Sequence, residues 1–426
     1  MDRRRMRAAE GLFADPVQST LPWRWMVLLI AACPGVALAQ LDFPQPTVVQ
    51  THFTPYADAA YEENSNLFVL SDSVPEVVGR DGPTKSDTVF RSRAGFDAAY
   101  NFGLQEVFAI AEGRRFIYDH FSDLDHDEYL LHGGLKWKIA SLLDGLIDYS
   151  RERSMVSFLQ YNETQFSSTQ LFIQVQSIAT ASINLQMTPE WRLESLGKVN
   201  DLDSPRPGFS SLALREDSIH EGLRYVGFAN LSAGLDGEYL DGHFTGGEFV
   251  LTPRYHQSTV EFAADYVLSG LSIFHGAVGY TDRNQEQAGT VSGLTGLLSY
   301  ERNLTGKTSL TVKLSRAINS YVTYADSEID TAAEVDATWN ATTKIKVEAG
   351  YQWLHSSFAA SDVAGVVTAA RVDRMQTPVL SIKYQPIDVL MLRAYAQYQT
   401  RVSTIDLFTF NGMLYGVELE ARLPLQ

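Results

Sequence analysis

Lys344-Ile-Lys-Val-Glu-Ala-Gly-Tyr-Gln-Trp-Leu-His355 is the stretch whose reading decides the fold. Ile345, Val347, Ala349, Tyr351 and Trp353 fall on one face at period two, and Lys344, Lys346, Glu348 and Gln352 on the other. Strict alternation marks a strand with one apolar and one polar face. A soluble sandwich strand usually stops at about 5–6 residues. This one is longer, and its apolar face ends in aromatics, as where a strand crosses a membrane interface. Its other face carries full charges and must meet water. The pattern recurs almost to the end of the chain, so the expectation is an all-β protein: a single antiparallel transmembrane barrel with a polar lumen.

Composition agrees. The chain has 426 residues, of which 45% are hydrophobic and 20% charged. No apolar run approaches the ~18 residues a membrane helix needs. A barrel is only mildly hydrophobic because half of each strand faces water, and 20 Tyr and 22 Phe suffice for interfacial girdles. A net charge of −17 argues against a nucleic-acid partner.

The N-terminus reads as a signal peptide over residues 1–39, with the barrel over 40–426. Arg3, Arg4, Arg5, Arg7 and Arg24 form a basic region, Met26–Cys33 a short apolar core, and Ala37-Leu38-Ala39 a cleavage site before Gln40. A lipoprotein box at Ile30–Cys33 is the rival reading. Cleavage at Gln40 leaves no cysteine, and hence no disulfide.

Eighteen strands are expected, with sixteen as the alternative count. They run over 49–61, 88–100, 105–118, 128–139, 143–153, 170–185, 191–201, 219–228, 233–244, 259–268, 271–281, 291–301, 309–319, 331–339, 344–355, 375–384, 389–401 and 413–423. Both ends then lie on the side of the short turns, which faces the periplasm in bacterial outer-membrane barrels. A loop is expected over 203–216 because of Pro205 and Pro207, and a bulge near Val107–Arg115, where the two faces cannot be told apart. The long first loop, Glu62–Lys85, carries Leu67-Phe68-Val69-Leu70, a segment able to fold inward as a gate.

Phasing the strands assigns lumen-lining candidates: Lys136, Lys138, Asp144, Asp148, Arg192, Glu194, Lys198, Lys344, Lys346, Glu348, Arg393, Arg401, Glu418, Glu420 and Arg422. The wall is thus mixed in sign. Two readings follow: ion pairs that hold the wall, or a hydrated path offering weak contacts to a polar polymer.

No constellation carries catalysis or a cofactor. The nine histidines include no H-E-x-x-H spacing. The acidic loop Asp123–Asp127 lacks the glycine and distal Glu of a calcium loop, and no serine has a histidine in a convincing register. The expectation is a non-enzymatic protein without metal or cofactor.

Tyr61-Glu-Glu-Asn-Ser-Asn-Leu-Phe68, then Ser86-Asp87-Thr88, the run Phe116–Asp125, Trp137 and Gly145–Tyr149 resemble the β-barrel porin type 2 group. Within it the likeness is to the outer-membrane protein of exopolysaccharide biosynthesis operons, the EpsL type. It covers about the first third of the barrel and thins afterwards. The resemblance implies a barrel in outer-membrane lipid, beside a periplasmic polysaccharide export protein, with polysaccharide as cargo. One departure is the C-terminus, Leu419-Glu-Ala-Arg-Leu-Pro-Leu-Gln426, which has no aromatic after Tyr415 for the barrel-assembly machinery to recognise. The rival expectations are a general diffusion porin and a structural barrel with a closed lumen.

Overall fold

The computed structural model describes residues 51–423, apart from 162–168, 207–208, 246–253, 287–288, 321–326, 360, 364–365 and 369. The segments expected as signal peptide and cleavage site lie outside the described residues.

Eighteen antiparallel strands form one sheet. They are β1 (His52–Asn64), β2 (Asp87–Phe102), β3 (Gln105–Tyr118), β4 (His126–Ile139), β5 (Leu143–Met155) and β6 (Ile173–Gln186). β7 (Trp191–Arg206), β8 (Phe209–Tyr225), β9 (Leu231–Thr245), β10 (Arg254–Ser269), β11 (Ser272–Gln285) and β12 (Gly289–Thr305) follow. β13 (Thr308–Ser320), β14 (Ser327–Asn340), β15 (Ile345–Phe358), β16 (Arg371–Ile387), β17 (Leu390–Ser403) and β18 (Phe410–Arg422) complete the series. Each strand pairs with its sequence neighbours, and β1 pairs with both β2 and β18. The sheet therefore closes and no edge remains, the one way a sheet satisfies its backbone in lipid.

Every expected strand is present, but several run further than alternation suggested. The expected loop over 203–216 is mostly strand, since β7 reaches Arg206 and β8 starts at Phe209. Pro205 is tolerated because the β7–β8 register shifts between Phe209 and Leu212, where a ladder donor is not required. Nor is there a bulge near Val107–Arg115, for β2–β3 pairing runs unbroken from Val89↔Tyr118 to Phe102↔Gln105. The faces looked alike because β3 turns Phe108, Ile110, Phe116 and Tyr118 inward beside Glu106, Glu112 and Arg114.

The outer surface is the apolar one. Leu235, Val260, Val278, Leu294 and Val417 point outward and are more than half exposed, which is stable only against hydrocarbon. Trp137 lies over Gly145 on this face, where an added Cβ would stand 2.5 Å from the indole. The long connections gather at the end of the barrel opposite the chain termini. Two of them hold small hairpins, Val77–Gly79 with Gly82–Thr84 and Ser361–Val363 with Val366–Thr368.

Candidate functional site: the lumen and its mouth

The interior has two regions built on different physics. The first is a band of ion pairs on the inward faces of the strands. Arg93 on β2 reaches Asp58 on β1, Glu112 on β3 (3.2 Å) and Glu420 on β18 (3.1 Å). Arg91, two residues on, reaches Glu418 on β18 at 3.3 Å. Arg114 on β3 joins Glu112 (2.5 Å), Glu128 on β4 (3.3 Å) and Glu152 on β5 (3.0 Å). Tyr56 donates its hydroxyl to Glu112 at 2.6 Å. The Arg91 and Arg93 pairs straddle the junction of β1 with β18 and staple the closure of the barrel, and Arg114 extends the band to β4 and β5. A buried guanidinium is held there only because several carboxylates surround it, and loss of either partner would strand the other.

A second network lies on β7–β11. Arg224 bridges Glu194 (3.2 Å) and Asp265 (2.5 Å), and His275 binds Asp265 at 2.7 Å. On β15 and β16, Lys346 and Lys383 share Glu348 at 2.8 and 2.7 Å.

Asp58, Glu418 and Glu420 bring three carboxylate oxygens within 4.8 Å of one another. Arg91, Arg93 and Arg393 already stand against them. Three guanidinium charges offset the three carboxylates, so the cluster is already neutralised by arginine without a metal ion.

The candidates drawn from alternation fall as follows. Lys136 pairs with Glu106 at 2.8 Å, and Asp148 with His132 at 3.0 Å. Asp144 accepts from Asn184 at 2.9 Å. Arg192 and Glu194 pair, Arg393 stands 3.6 Å from Glu418, and Arg401 donates to the carbonyl of Phe408 at 2.7 Å. Lys138 and Lys198 share the inward phase of Lys136 and Glu194. Arg422 is inward but exposed at the rim, beside Glu420. Lys344 is a correction: β15 begins at Ile345, and Lys344 lies exposed in the preceding turn with its Nζ donating to the carbonyl of Pro386 at 2.7 Å. Turn geometry there, not the strand period, sets its direction.

Asp58, Arg91, Arg93, Glu112 and Arg114, the most connected charges, were missing from the expected set. Arg91 and Arg93 at period two on β2 were the available signal.

The second region closes the mouth at the long-loop end. Leu67, Phe68 and Leu70 from the first loop are buried with Phe121, Leu124 and Phe158, against the inward Val89 and Tyr118. Phe68 is fully buried, with Phe121 and Phe158 packed edge-on at 4.7 and 4.8 Å between centroids. Phe158 starts a short helix, Phe158–Tyr161, in the connection after β5. The next residue, Leu159, belongs to a buried cluster with inward Ala332 (β14), Leu354 (β15), Met375 (β16) and Phe410 (β18). In an eighteen-stranded ring β5 and β14 are diametrically opposed. This connection therefore crosses the mouth.

Polar latches hold the cap. The side-chain amide of Asn66 donates to the carbonyls of Leu70 (2.9 Å) and Asn411 (2.8 Å), while its oxygen accepts from Leu70 N at 2.9 Å. Val69 between them has φ 55°, a left-handed conformation that a β-branched residue adopts only when its surroundings impose it. Asp87, wholly buried, accepts from the backbone N–H of Thr88 (2.7 Å), His120 (2.9 Å) and Phe121 (3.1 Å). Asn66 and Asp87 belong to the motifs Asn66-Leu67-Phe68 and Ser86-Asp87-Thr88. Both act as loop clamps.

No family model matches the chain, and no curated protein matches it. Many solved structures do. The FrpB iron transporter from Neisseria meningitidis aligns with a TM-score of 0.51 at 7% identity, covering 83% of this chain and 62% of that one. The siderophore receptor PirA from Pseudomonas aeruginosa aligns with a TM-score of 0.47 at 9% identity, covering 89% of this chain and 81% of that chain. OpdK from Pseudomonas aeruginosa aligns with a TM-score of 0.46 at 12% identity, covering 88% of this chain and 100% of that one. At these identities the likeness is one of fold. The protein is a bacterial outer-membrane β-barrel. Its closed sheet, apolar exterior and charged interior independently require a membrane-spanning barrel.

Proposed function

We propose that this barrel is a gated outer-membrane channel without catalytic activity, whose cargo is a polar polymer, a secreted polysaccharide. The observation that carries the gate is the crossing of the mouth by Phe158 and Leu159, locked to Phe68. Below it the wall presents charges of both signs, most of them already paired. Such a wall gives a sliding polymer many weak contacts and no tight site at which to stall. The cargo assignment draws on the resemblance of 61–154 to the exopolysaccharide-operon barrels. A periplasmic export protein on the short-turn side, and barrel-assembly machinery that reads β18 by Tyr415, would be its partners.

One observation favours a second reading, a diffusion porin for small polar solutes. The first loop folds inward, as constriction loops of such porins do.

Conductance and export separate these readings. In planar bilayers the wild-type barrel should conduct rarely, and Phe68→Ala combined with Phe158→Ala should raise the open fraction at least tenfold. Deleting the gene should reduce extracellular polysaccharide and trap it in the periplasm. Unchanged polysaccharide with lost uptake of a small solute would select the porin. High steady conductance in the wild type would remove the gate.

A further inference from the structure

The outward face is unevenly charged near the long-loop end. On β3, Arg115 has an outward acid, Asp127, at 3.1 Å. Arg215 on β8 has Asp217 at 3.1 Å and Asp201 at 3.6 Å, and His256 on β10 has Asp241 at 3.6 Å. These three have acids beside them, whereas the outward Arg151 on β5 is held by the hydroxyls of Tyr129 and Ser177.

The sector β12–β18 differs. Its acids, among them Glu301, Glu334, Asp336, Glu348, Asp373, Glu418 and Glu420, have the inward phase, and no described strand residue turns a carboxylate outward. Yet Arg316, His355 and Arg374 do point outward. They fall in one row across four adjacent strands, through the register pairs Arg316↔Thr331, Thr331↔His355 and His355↔Arg374. With neighbouring strands ~4.8 Å apart, the row spans roughly 14 Å.

Arg316 and Arg374 are exposed. Arg316 donates Nη1 along the row to Thr331 Oγ1 at 2.8 Å and Nε to the Leu294 carbonyl at 3.2 Å, and His355 stacks on Trp353 with 6.0 Å between ring centroids. Trp353 and Tyr351 lie next on the same face toward the barrel centre, so the row sits just outside the aromatic girdle, at headgroup depth. All three bases stand three or four residues from the long-loop ends of their strands, which face the outer leaflet. In a chain of net charge −17, this basic row has no outward carboxylate beside it among the described strand residues of the sector.

We propose that the outward row Arg316–Thr331–His355–Arg374 binds the phosphate of an anionic outer-leaflet glycolipid. The two guanidinium forks suit phosphate oxygens, His355 adds a donor between them, and the apolar face of β13–β16 below takes the acyl chains. The site lies outside the lumen and owes nothing to the cargo or the gate.

The test uses the full-length barrel in nanodiscs, with bisphosphorylated lipid A and its dephosphorylated form as probes, read by native mass spectrometry and by the shift in unfolding temperature. The phosphorylated probe should bind more tightly, and Arg316→Gln with Arg374→Gln should weaken it about thirty-fold, roughly fivefold for each charge. Arg115→Gln with Arg215→Gln, whose bases already have acids, should stay within about twofold of wild type on the same scale. Equal binding of both probes, or undiminished binding by the Arg316/Arg374 variant, would overturn the site. So would loss in that variant of a lipid-independent dimer, since the row would then serve a second copy of the chain. Should the variant fail the heat-modifiable mobility check for a folded barrel, the two probes on the wild type decide alone.

Discussion

The seam and the mouth both close this barrel, by opposite means. The seam joins β1 to β18 with charged side chains on rigid strands, Arg91 and Arg93 set among Asp58, Glu112, Glu418 and Glu420. The mouth joins β5 to the far wall with apolar side chains on loops, Phe68, Phe158 and Leu159. Strand positions fix a side chain to within small displacements, which buried ion pairs require. Loops cannot promise such precision, but nondirectional apolar contact tolerates their error. A cap of this second kind can also open without unfolding the wall, because local opening costs less than global.

The sharpest way to break the comparison is at the seam. Arg93→Ala leaves three carboxylates facing one another and should cost about 3–5 kcal/mol of barrel stability. Urea unfolding from micelles, followed by tryptophan fluorescence, measures it, and conductance should stay low because the cap is untouched. An unchanged midpoint would mean that the hydrogen-bonded β1–β18 ladder closes the barrel unaided.

Next in size is a charge on the lipid face. Val278→Arg, central on the outward face of β11, should cost about 2–4 kcal/mol. Val347→Arg, near the turn-side end of β15, should cost only about 0–1 kcal/mol, since depth sets the penalty. Equal costs at the two sites would put Val347 as deep in the bilayer as Val278.

The mouth should respond to its latch. Asn66→Ala leaves the Leu70 amide and two carbonyls without partners and should loosen the cap by about 1–3 kcal/mol. Amide exchange at 66–70 should quicken while the strand amides keep their protection. The smallest effect is expected at Lys346→Gln, under about 1 kcal/mol, because Lys383 still neutralises Glu348 at 2.7 Å. A larger loss would place Lys346 in the seam's class.

Period two in the sequence was enough for the strand count, the antiparallel order, the apolar exterior and the inward phase of Lys136, Glu194, Glu348 and Glu418. Each of these depends on a residue and its near neighbours. The inward-folded segment Leu67–Leu70 was also legible, as an apolar run stranded in a polar loop. Lys344 was misplaced because alternation continues formally past the point where the ladder ends. Arg114 escaped notice because β3 carries apolar residues on both faces, some of them facing inward to meet the loops, whereas Arg91 and Arg93 alternate on β2 and were legible there.

What only the tertiary structure decided is which distant residues meet. Arg93 and Glu420 lie 327 positions apart in the chain, and nothing local in either strand names the other. Closure brings them together, because the first and last strands have no other partners for their ladders. The helix Phe158–Tyr161 likewise has no periodicity that predicts its reach. It crosses the mouth because the barrel is wide and Phe68 and Leu354 offer apolar surface on its two sides. Local pattern sets the direction of a side chain, and the ring sets its neighbours.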